Sequence, residues 1–268
     1  MHGDGLSTEL DRDERGAPAA ESSTSGGLAA LTGKLWLWWS LAAAGLLLLV
    51  FGPPAILIAY LARRREWVYP WALFGARAWL ILSGVKVRVK GRERLDPRRS
   101  YVFVANHRSF LDTATLFAHL GRRIGMIAKK EVLKVPILGY GMGYVNILAI
   151  DRSNRARAIE TMKAATDRLR RGVSFGVFAE GTRARPRQLL PFKKGAFYMA
   201  AEAGAPVVPV AIKHTDELMG KGTGRARPGT LEMVLLPHVE TEGLRTDEEI
   251  RELSERVNAM VAAELKAG

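Results

Sequence analysis

The sequence predicts an α/β fold in which a mixed sheet is flanked by helices, with a membrane-anchoring helical segment on its N-terminal side. Two observations support this prediction. From residue 84 to residue 268, short apolar runs rich in β-branched residues alternate with helical periodicities, which is typical of a sheet covered by helices. Between Lys34 and Arg63 no charged residue occurs, which is typical of a segment that enters a membrane.

Residues 1–33 are predicted to form a disordered acidic tail, because they are rich in Gly, Ser, Ala and acidic residues and have few apolar side chains. They contain two arginines and six acidic residues, a net charge of −4. The whole chain has a formal charge of +13, so residues 34–268 carry +17. A basic body of this kind suits nucleic acid or an anionic membrane surface, and the apolar segment favours the membrane and no nucleic acid.

Residues 34–83 are predicted to anchor the protein through apolar helices. As a helix, residues 35–51 would span about 26 Å and residues 35–61 about 40 Å, whereas a bilayer core is about 30 Å thick. The Gly-Pro-Pro sequence at residues 52–54 is expected to break or kink this helix. Two arrangements therefore stay open, a hairpin that enters and leaves one leaflet and a kinked single span.

Three consecutive arginines, residues 63–65, follow the apolar segment, whereas its other flank is acidic. Positively charged flanks stay on the cytoplasmic side of a membrane. This asymmetry predicts attachment to the cell membrane with the downstream domain on the cytoplasmic side. Residues 67–83 are predicted to form a further helix that lies on the membrane or packs beneath the domain.

Residues 84–268 are predicted to form the α/β domain. The strand predictions depend on apolar or alternating runs, and the helix predictions on periodicity with capping signals such as Thr246-x-x-Glu249. The predicted strands are residues 85–89, 101–105, 125–128, 145–150, 175–178, 207–212 and 231–236. The predicted helices are residues 113–120, 153–171, 192–202 and 246–266.

His107 and Asp112 lie at a predicted corner, where the strand of residues 101–105 ends and the next helix begins. A histidine accepts and releases protons near neutral pH, and an adjacent carboxylate holds one ring nitrogen protonated while the other accepts a proton. Residues five apart diverge by about 140° around a helix but can meet across a turn. A structural alternative is that Ser109-x-x-Asp112 forms a capping box, and the two interpretations are compatible.

A second predicted strand, residues 175–178, leads into Ala179-Glu180-Gly181-Thr182-Arg183, a turn that contains an acid, a glycine and an arginine. Strands of α/β proteins present their ligands at their carboxyl ends. The two strand ends together predict an acid–base centre beside an anion-binding site.

With these residues and two further segments, the chain resembles the glycerolipid acyltransferases, specifically the 1-acyl-sn-glycerol-3-phosphate acyltransferase family. Four blocks of the family occur in the family's order, over about residues 85–236. They are Asn106-His107-x-Ser109-x-x-Asp112, residues 146–152 (Asn-Ile-Leu-Ala-Ile-Asp-Arg), residues 178–183 (Phe-Ala-Glu-Gly-Thr-Arg) and residues 208–212 (Val-Pro-Val-Ala-Ile). This chain has Ala179 where the family usually has proline, a change that loosens a turn without removing a reactive group.

The resemblance implies transfer of a fatty acyl group from a thioester to the free hydroxyl of lysophosphatidic acid, giving phosphatidic acid in phospholipid biosynthesis. It implies that His107 is the general base and that Asp112 orients it. The chain has no cysteine, so the hydroxyl would attack the thioester directly, and Ser109 as a covalent nucleophile is the less favoured alternative. The implied substrate-binding residues are Glu180, Gly181, Thr182, Arg183, Arg152 and Lys193.

Arginines suit bidentate contacts with the acceptor's phosphate. Glu180 is expected to fix these arginines or the acceptor's hydroxyl, and Gly181 to allow close backbone approach. Lys194 is a further candidate for the phosphate, and Arg108 for the phosphates of the acyl donor. The resemblance implies acyl-CoA or acyl-carrier protein as the donor, membrane lipids as partners, and no metal or other cofactor.

Two alternatives stay open at this point. One is an acyltransferase for another acceptor, such as glycerol-3-phosphate, another lysophospholipid or a lyso-aminolipid, because acceptor choice depends on a pocket shape that the motifs do not encode. The other is a non-catalytic, basic membrane-surface protein. The intact His107, Asp112, Glu180 and Arg183 argue against the second alternative.

Overall fold

The computed structural model describes residues 22–267, and its α/β part is built on one sheet of seven strands. The strands are β1 Val85–Lys90, β2 Val102–Ala105, β3 Ile124–Lys129, β4 Ile147–Ile150, β5 Ser174–Phe178, β6 Val207–Lys213 and β7 Gly229–Leu235. Across the sheet they follow the order β1-β7-β6-β2-β5-β3-β4. Each strand overlaps its predicted position, so the seven strand predictions are confirmed.

The sheet is mixed, as predicted. All neighbouring strands pair in parallel except β6 and β7, which are antiparallel. Because β2, β5, β3 and β4 run in the same direction, their carboxyl ends lie along one edge of the sheet. In α/β proteins this edge is where ligands bind.

Helices cover both faces of the sheet. In the described part of the chain they are α1 Ser22–Leu61, α2 Val68–Leu82, α3 Leu111–His119, α4 Leu138–Gly141, α5 Arg155–Arg170, α6 Gly195–Ala203, α7 Thr215–Met219 and α8 Asp247–Lys266. The predicted caps are present, since α8 begins with a capping box between Thr246 and Glu249. Gly204 ends α6 with a φ of 63°, a conformation that glycine adopts without steric cost.

The sheet separates two apolar clusters. The cluster that includes Phe103 lies on the side of α2, α3 and α7, and the cluster that includes Phe197 lies on the side of α5, α6 and α8. Successive residues of β2 point alternately into the two clusters, with Val102 and Val104 opposite Phe103. All four residues of this central strand are buried, which explains its uninterrupted apolar sequence.

The helix α1 begins earlier than the sequence predicted. It starts at Ser22, so residues 22–33 of the predicted disordered tail are helical, and residues 1–21 lie outside the described residues. The segment Leu-Ala-Ala-Leu at residues 28–31 contains only strong helix formers, which extend the apolar helix backwards. The backbone N–H of Ala226 also donates to the carbonyl oxygen of Gly33, at 2.8 Å, and fastens this turn to the domain.

The predicted break at residues 52–54 does not end the helix. α1 continues through Pro53 and Pro54 for 40 residues in total, about 60 Å at 1.5 Å per residue. Each proline removes one backbone N–H from the helix, but the helical conformation continues on both sides. The chain reverses later, at residues 62–67, so the arms of the helical hairpin are α1 and α2.

α2 lies between α1 and the domain, which is the second of its two predicted placements. Trp79 Nε1 donates to the carbonyl oxygen of Ser40 on α1, at 2.9 Å, and the buried hydroxyls of Ser40 and Ser83 are 2.6 Å apart. On the other side, the Arg77 guanidinium donates to the carbonyl oxygen of Ala118 at the end of α3. The long apolar helix is therefore joined through α2 to the face of the sheet that α3 covers.

α1 has the length and composition of a membrane-spanning helix. Its segment Gly27–Leu61 has a mean hydropathy of 2.3, and it is the one helix among residues 22–267 that is long and apolar enough to cross a membrane. Many of its large apolar side chains are exposed, including Trp38, Leu46 and Leu49. Exposed apolar surface of this extent indicates contact with lipid or another apolar partner.

Candidate active site

Asn106 fixes the point at which the chain leaves the centre of the sheet. Its buried side-chain amide donates to the carbonyl oxygen of Ile212 at 2.9 Å and accepts from the N–H of Ile212 at 2.7 Å. These two bonds continue the pairing of β2 with β6 beyond Ala105. Asn106 is part of a predicted motif, but its role could not be predicted from the sequence, because its partner is 106 residues away.

His107 and Asp112 meet across the predicted strand-to-helix corner. The distance between His107 Nδ1 and Asp112 Oδ2 is 3.0 Å. The same oxygen also accepts the backbone N–H groups of Arg108, at 2.6 Å, and Ser109, at 2.7 Å. Three donors therefore converge on one oxygen of a fully buried carboxylate.

This arrangement determines the tautomer of His107. Backbone N–H groups only donate, so Asp112 Oδ2 acts as an acceptor and the Nδ1 atom of His107 carries the hydrogen. The Nε2 atom then has a free lone pair, and it has no hydrogen-bond partner among residues 22–267. The histidine is thereby prepared to accept a proton at Nε2.

Phe178 holds the imidazole ring in place. It is the last residue of β5, and its ring stacks on His107 with a centroid distance of 4.1 Å and an interplanar angle of 17°. Stacking on one face and a hydrogen bond at Nδ1 leave the ring little rotational freedom. Sequence reasoning missed this role, although an aromatic residue at the end of the neighbouring strand is the signal that could have indicated it.

The capping-box interpretation holds in part. Asp112 does reach back to the N–H of Ser109, but α3 begins at Leu111, and Phe110 is its N-cap residue. The Ser109 hydroxyl accepts from the N–H of Leu111 and donates to the carbonyl oxygen of Met219, at 2.7 Å. Because this hydroxyl is fully buried and committed to a carbonyl, Ser109 is a structural residue and the nucleophile alternative is wrong.

Glu180 supports the backbone of the corner. Its Oε1 atom accepts the N–H of His107 at 2.6 Å, and its Oε2 atom accepts the N–H of Leu190 at 2.9 Å. The expected contact with the predicted arginines is absent among the described residues, because both oxygens face backbone donors instead. Burial raises the pKa of Glu180 to about 7, although the two backbone hydrogen bonds act in the opposite direction.

Gly181 and Lys193 lie against each other beside this carboxylate. Gly181 has a φ of 73°, and a Cβ atom at this position would stand 3.0 Å from both Cε and Nζ of Lys193. The lysine is placed by its own N–H, which donates to the carbonyl oxygen of Ala179 at 2.8 Å. Glycine is therefore needed at residue 181 both for the turn and for the close approach of the lysine.

Arg183 lies over the ring of Phe110, with 3.6 Å between its guanidinium carbon and the ring centroid. Burial lowers its pKa, and the charge of Asp112 opposes this effect. No carboxylate pairs with Arg183 or Lys193 among residues 22–267. The side chain of Thr182, between Gly181 and Arg183, is exposed.

Arg152 is not brought to this centre. It follows β4, and β5 and β3 separate β4 from β2, so the two strand ends are about 14 Å apart across the sheet. Its exposed side chain follows Asp151, which is nearly buried and forms an ion pair with Lys130 at 2.8 Å. Lys130 and Ser153 hold the pKa of Asp151 well below its usual range.

Two other predicted cations have partners within the protein. The Lys194 ammonium pairs with Asp247 at 2.5 Å. Arg108 is buried, and its guanidinium contacts Asp216 and the carbonyl oxygen of Gln188. The prediction that Arg108 faces donor phosphates is wrong, since the side chain turns into the protein.

An apolar cavity of about 360 Å³ lies on the α1 and α2 side of the corner. Its wall includes Thr113 and Ala114, the two residues that follow Asp112 in α3. Other parts of the wall come from α1, α2 and the segment of residues 137–147. A cavity of this size and lining suits the hydrocarbon part of a ligand.

The site therefore combines a proton acceptor, unpaired cations and an apolar cavity. His107 Nε2 can accept a proton from a hydroxyl, while Lys193 and Arg183 suit an anionic group beside it. These features fit a ligand with a hydroxyl, a negatively charged group and a hydrocarbon chain.

Comparison with known proteins agrees with this chemistry. Residues 86–213 match the family model described as Acyltransferase. The 1-acyl-sn-glycerol-3-phosphate acyltransferase alpha of Bos taurus is 36% identical over 177 residues, which are 66% of this chain and 61% of that protein. The 1-acyl-sn-glycerol-3-phosphate acyltransferase of Saccharomyces cerevisiae is 34% identical over 189 residues, which are 69% and 62%. The chain thus spans about three fifths of these relatives.

A solved structure is similar over nearly the whole fold. It is the crystal structure of the 1-acyl-sn-glycerophosphate (LPA) acyltransferase PlsC from Thermotoga maritima, with a TM-score of 0.74 and 28% sequence identity. The match covers 90% of this chain and 98% of that chain. His107, Asp112, Glu180 and Arg183 all lie within the residues matched by the family model. Residues 86–213 therefore form a domain of the acyltransferase family, and the relatives of this chain in sequence and fold are 1-acyl-sn-glycerol-3-phosphate acyltransferases.

Proposed function

We propose that this protein is a membrane-bound acyltransferase that transfers a fatty acyl group from a thioester to the free hydroxyl of lysophosphatidic acid, forming phosphatidic acid in phospholipid biosynthesis. The observation that carries the proposal is the His107–Asp112 pair, with Nδ1 bonded at 3.0 Å and Nε2 free. The similarity to 1-acyl-sn-glycerol-3-phosphate acyltransferases supports the choice of substrate.

In the proposed reaction, His107 Nε2 accepts the proton of the acceptor hydroxyl as the hydroxyl oxygen attacks the thioester carbonyl carbon. The carbon–sulfur bond then breaks, and the imidazolium returns the proton to the departing thiolate. Asp112 keeps the hydrogen on Nδ1 and stabilises the imidazolium between the two steps. Phe178 prevents the ring from turning away.

The phosphate of lysophosphatidic acid would bind to the cations beside His107. Arg183 and Lys193 are the candidates, because neither has a carboxylate partner in the described chain. The open turn at Gly181 and the exposed Thr182 let a ligand approach the backbone. Arg152 lies about three strand spacings away, so in this proposal it contacts substrate groups other than that phosphate.

The hydrocarbon chain and the membrane complete the proposal. The apolar cavity beside Asp112 would hold an acyl chain, and α1 would attach the enzyme to the cell membrane. The arginines at residues 63–65 support a cytoplasmic position of the domain, where acyl-CoA or acyl-carrier protein would deliver the acyl group.

Acyl transfer by the detergent-purified full chain tests this function. Acyl-CoA, and in parallel acyl-carrier protein, is offered with lysophosphatidic acid, glycerol-3-phosphate, lysophosphatidylcholine and a lyso-aminolipid. We expect phosphatidic acid to be the main product. A different main product would identify another acceptor for the same acyl-transfer reaction. No product from any combination of donor and acceptor would contradict the enzyme assignment.

The phosphate contact is tested in the same assay with Arg183→Ala. A lost charge-assisted contact is worth roughly 1.5–3 kcal/mol, so we expect the KM for lysophosphatidic acid to rise roughly 10- to 150-fold. Arg185→Ala is the matched control, because Arg185 is an exposed arginine two residues away. Equal effects of the two substitutions would contradict the assignment of Arg183.

A further inference from the structure

The loop of residues 183–190 lies in the connection between β5 and α6, and it includes Arg183, the proposed phosphate ligand. It forms neither a helix nor a strand, and residues 185–188 are exposed. Yet it is fastened at several points, since the N–H of Ala184 donates to the carbonyl oxygen of His107 at 2.7 Å and Lys221 Nζ donates to the carbonyl oxygen of Arg183. A loop with this many attachments has a defined position.

Arg108 joins the catalytic corner to this loop. Its backbone N–H donates to Asp112, as described above, and its carbonyl oxygen accepts the N–H of Lys221 at 3.1 Å. Its side chain is only 10% exposed, and Nε donates to the carbonyl oxygen of Gln188 at 2.7 Å. One residue therefore contacts both the carboxylate that orients His107 and the far end of the loop.

Asp216, on α7, completes the connection. Its Oδ2 atom lies 3.6 Å from Arg108 Nη1 and accepts the N–H of Arg187 at 2.6 Å. Its side chain is 5% exposed, so both charges of the pair are buried. Arg187 has a φ of 63°, a conformation that arginine rarely adopts and that persists only when surrounding contacts impose it.

We propose that the buried Arg108–Asp216 pair is a positioning device that fixes the loop of residues 183–190 and so sets the position of the Arg183 guanidinium relative to His107. The effect on lysophosphatidic acid binding rests on the proposed function, whereas the contacts between the pair and the loop do not depend on it. Burying two charges contributes little net stability compared with apolar side chains of similar size. Its contribution here is to hold the loop in one conformation, because Arg108 and Asp216 each bond to a different backbone atom of the same loop.

Two variants separate positioning from stability. Asp216→Ala removes the acceptor of the Arg187 N–H and leaves the Arg108 charge buried without its partner, so it affects both properties. The double variant Arg108→Met and Asp216→Leu replaces the pair with apolar side chains and is expected to keep a melting temperature close to that of the wild type. Lys213→Met is the matched control, because the buried Lys213 forms an ion pair with the partly exposed Glu264 on α8, outside the site.

The first measurement is the kinetics of phosphatidic acid formation. We expect both variants of the pair to raise the KM for lysophosphatidic acid roughly 10-fold or more with kcat within about threefold, as for a misplaced charge-assisted contact. Adding Arg183→Ala to the double variant should raise the KM less than threefold further, because contacts in one network are not additive. Lys213→Met should leave the KM unchanged.

The second measurement does not depend on activity. Limited trypsin digestion reports the mobility of the loop through cleavage after Arg187, and we expect at least fivefold faster cleavage in both variants of the pair but not in Lys213→Met. A double variant with wild-type KM and wild-type cleavage would overturn the positioning role. If the wild type forms no phosphatidic acid, the proposed function fails, and the cleavage rates alone still decide whether the pair fixes the loop.

Discussion

Two buried carboxylates have different functions at the catalytic corner. Asp112 orients the His107 ring through Nδ1, whereas Glu180 holds the His107 backbone through its N–H. Both are less than 3% exposed. The side chain and the backbone of the same histidine are therefore fixed independently, which is the preorganisation that a general base requires.

Glu180 predicts a pH dependence of stability. Its pKa is raised by burial to about 7 from an ordinary value of 4.5. The stability linked to this group is therefore fully present below pH 4.5 and is lost as the pH rises through 7, on the order of 3 kcal/mol in all. Glutamine does not ionise. We therefore expect the melting temperature of Glu180→Gln to fall less than that of the wild type as the pH rises from 5 to 8.

Thermal unfolding in detergent at several pH values gives this comparison. Glu248→Gln, which changes an exposed glutamate on α8, is the control and should follow the wild type. If Glu180→Gln and the wild type show parallel pH profiles, Glu180 does not titrate in this range.

The sequence predicted the pairing of His107 with Asp112 better than the contacts that support this pair. His107 and Asp112 follow from a strand end and a helix start five residues apart, which is local information. The contacts of Asn106 and Glu180 depend on which strands are neighbours, since Asn106 bonds to β6 and Glu180 accepts the N–H of His107, which follows β2. Strand order is set by packing of the whole sheet, so their contacts were not predictable from sequence spacing.

At the scale of elements, one wall of the apolar cavity depends on close packing of glycines. This wall, in the segment of residues 137–147, includes α4, which lies between two short 3-10 helices at residues 130–134 and 142–145. A Cβ atom on Gly139 would overlap the carbonyl oxygen and carbonyl carbon of Leu133, whereas a Cβ atom on Gly143 would have no atom within 4 Å. Close packing therefore applies to Gly139 but not to Gly143.

We therefore expect opposite effects of two alanine substitutions. Gly139→Ala should lower stability by roughly 1–3 kcal/mol, because backbone atoms must move to relieve the overlap. Gly143→Ala should be neutral or stabilising by up to about 1 kcal/mol, because alanine loses less conformational freedom than glycine in a helical turn. Melting temperatures of the two variants decide this, and equal losses would contradict the packing.

The elements followed from the sequence, apart from the short helices α4 and α7, which were not predicted, and the ends and continuity of α1. The seven strands are apolar or alternating runs, and the caps of α6 and α8 are local signals. The break expected at residues 52–54 does not occur, because a proline costs hydrogen bonds but does not determine where a long apolar helix ends. The reversal instead falls at the arginine-rich segment 62–67.

At the scale of the whole molecule, an apolar helix is joined to a strongly basic body. Ala43, Ala55 and Ala59 of α1 are buried, whereas Leu46 and Leu49 are 61% and 63% exposed. This outer face has no protein covering among residues 22–267. Lipid is the partner that fits it, and residues 34–268, with a charge of +17, suit an anionic membrane surface.

Placing charges on the outer face tests membrane attachment. Each arginine in the centre of a membrane helix costs roughly 2.5–3.5 kcal/mol, so we expect Leu46→Arg with Leu49→Arg to shift the protein out of the alkali-resistant membrane fraction. Leu46→Met with Leu49→Met is the matched control and should stay in that fraction. Membrane retention of the arginine variant would contradict the assignment of this face to lipid.

The proposed reaction depends on His107, oriented by Asp112, as the base for acyl transfer to lysophosphatidic acid. The most direct test is the rate of phosphatidic acid formation by wild type, His107→Ala, Asp112→Asn and the double variant. His238→Ala is the control, because this histidine also contacts a carboxylate, Glu240, but lies outside the site. General-base catalysis contributes roughly 10²- to 10⁴-fold, so each single variant should lose activity by that factor.

Because His107 and Asp112 act as one unit, the double variant should lose no more activity than His107→Ala alone. His238→Ala should keep the wild-type rate. Phosphatidic acid formation by His107→Ala at a rate close to that of the wild type would contradict the role of His107 as the base.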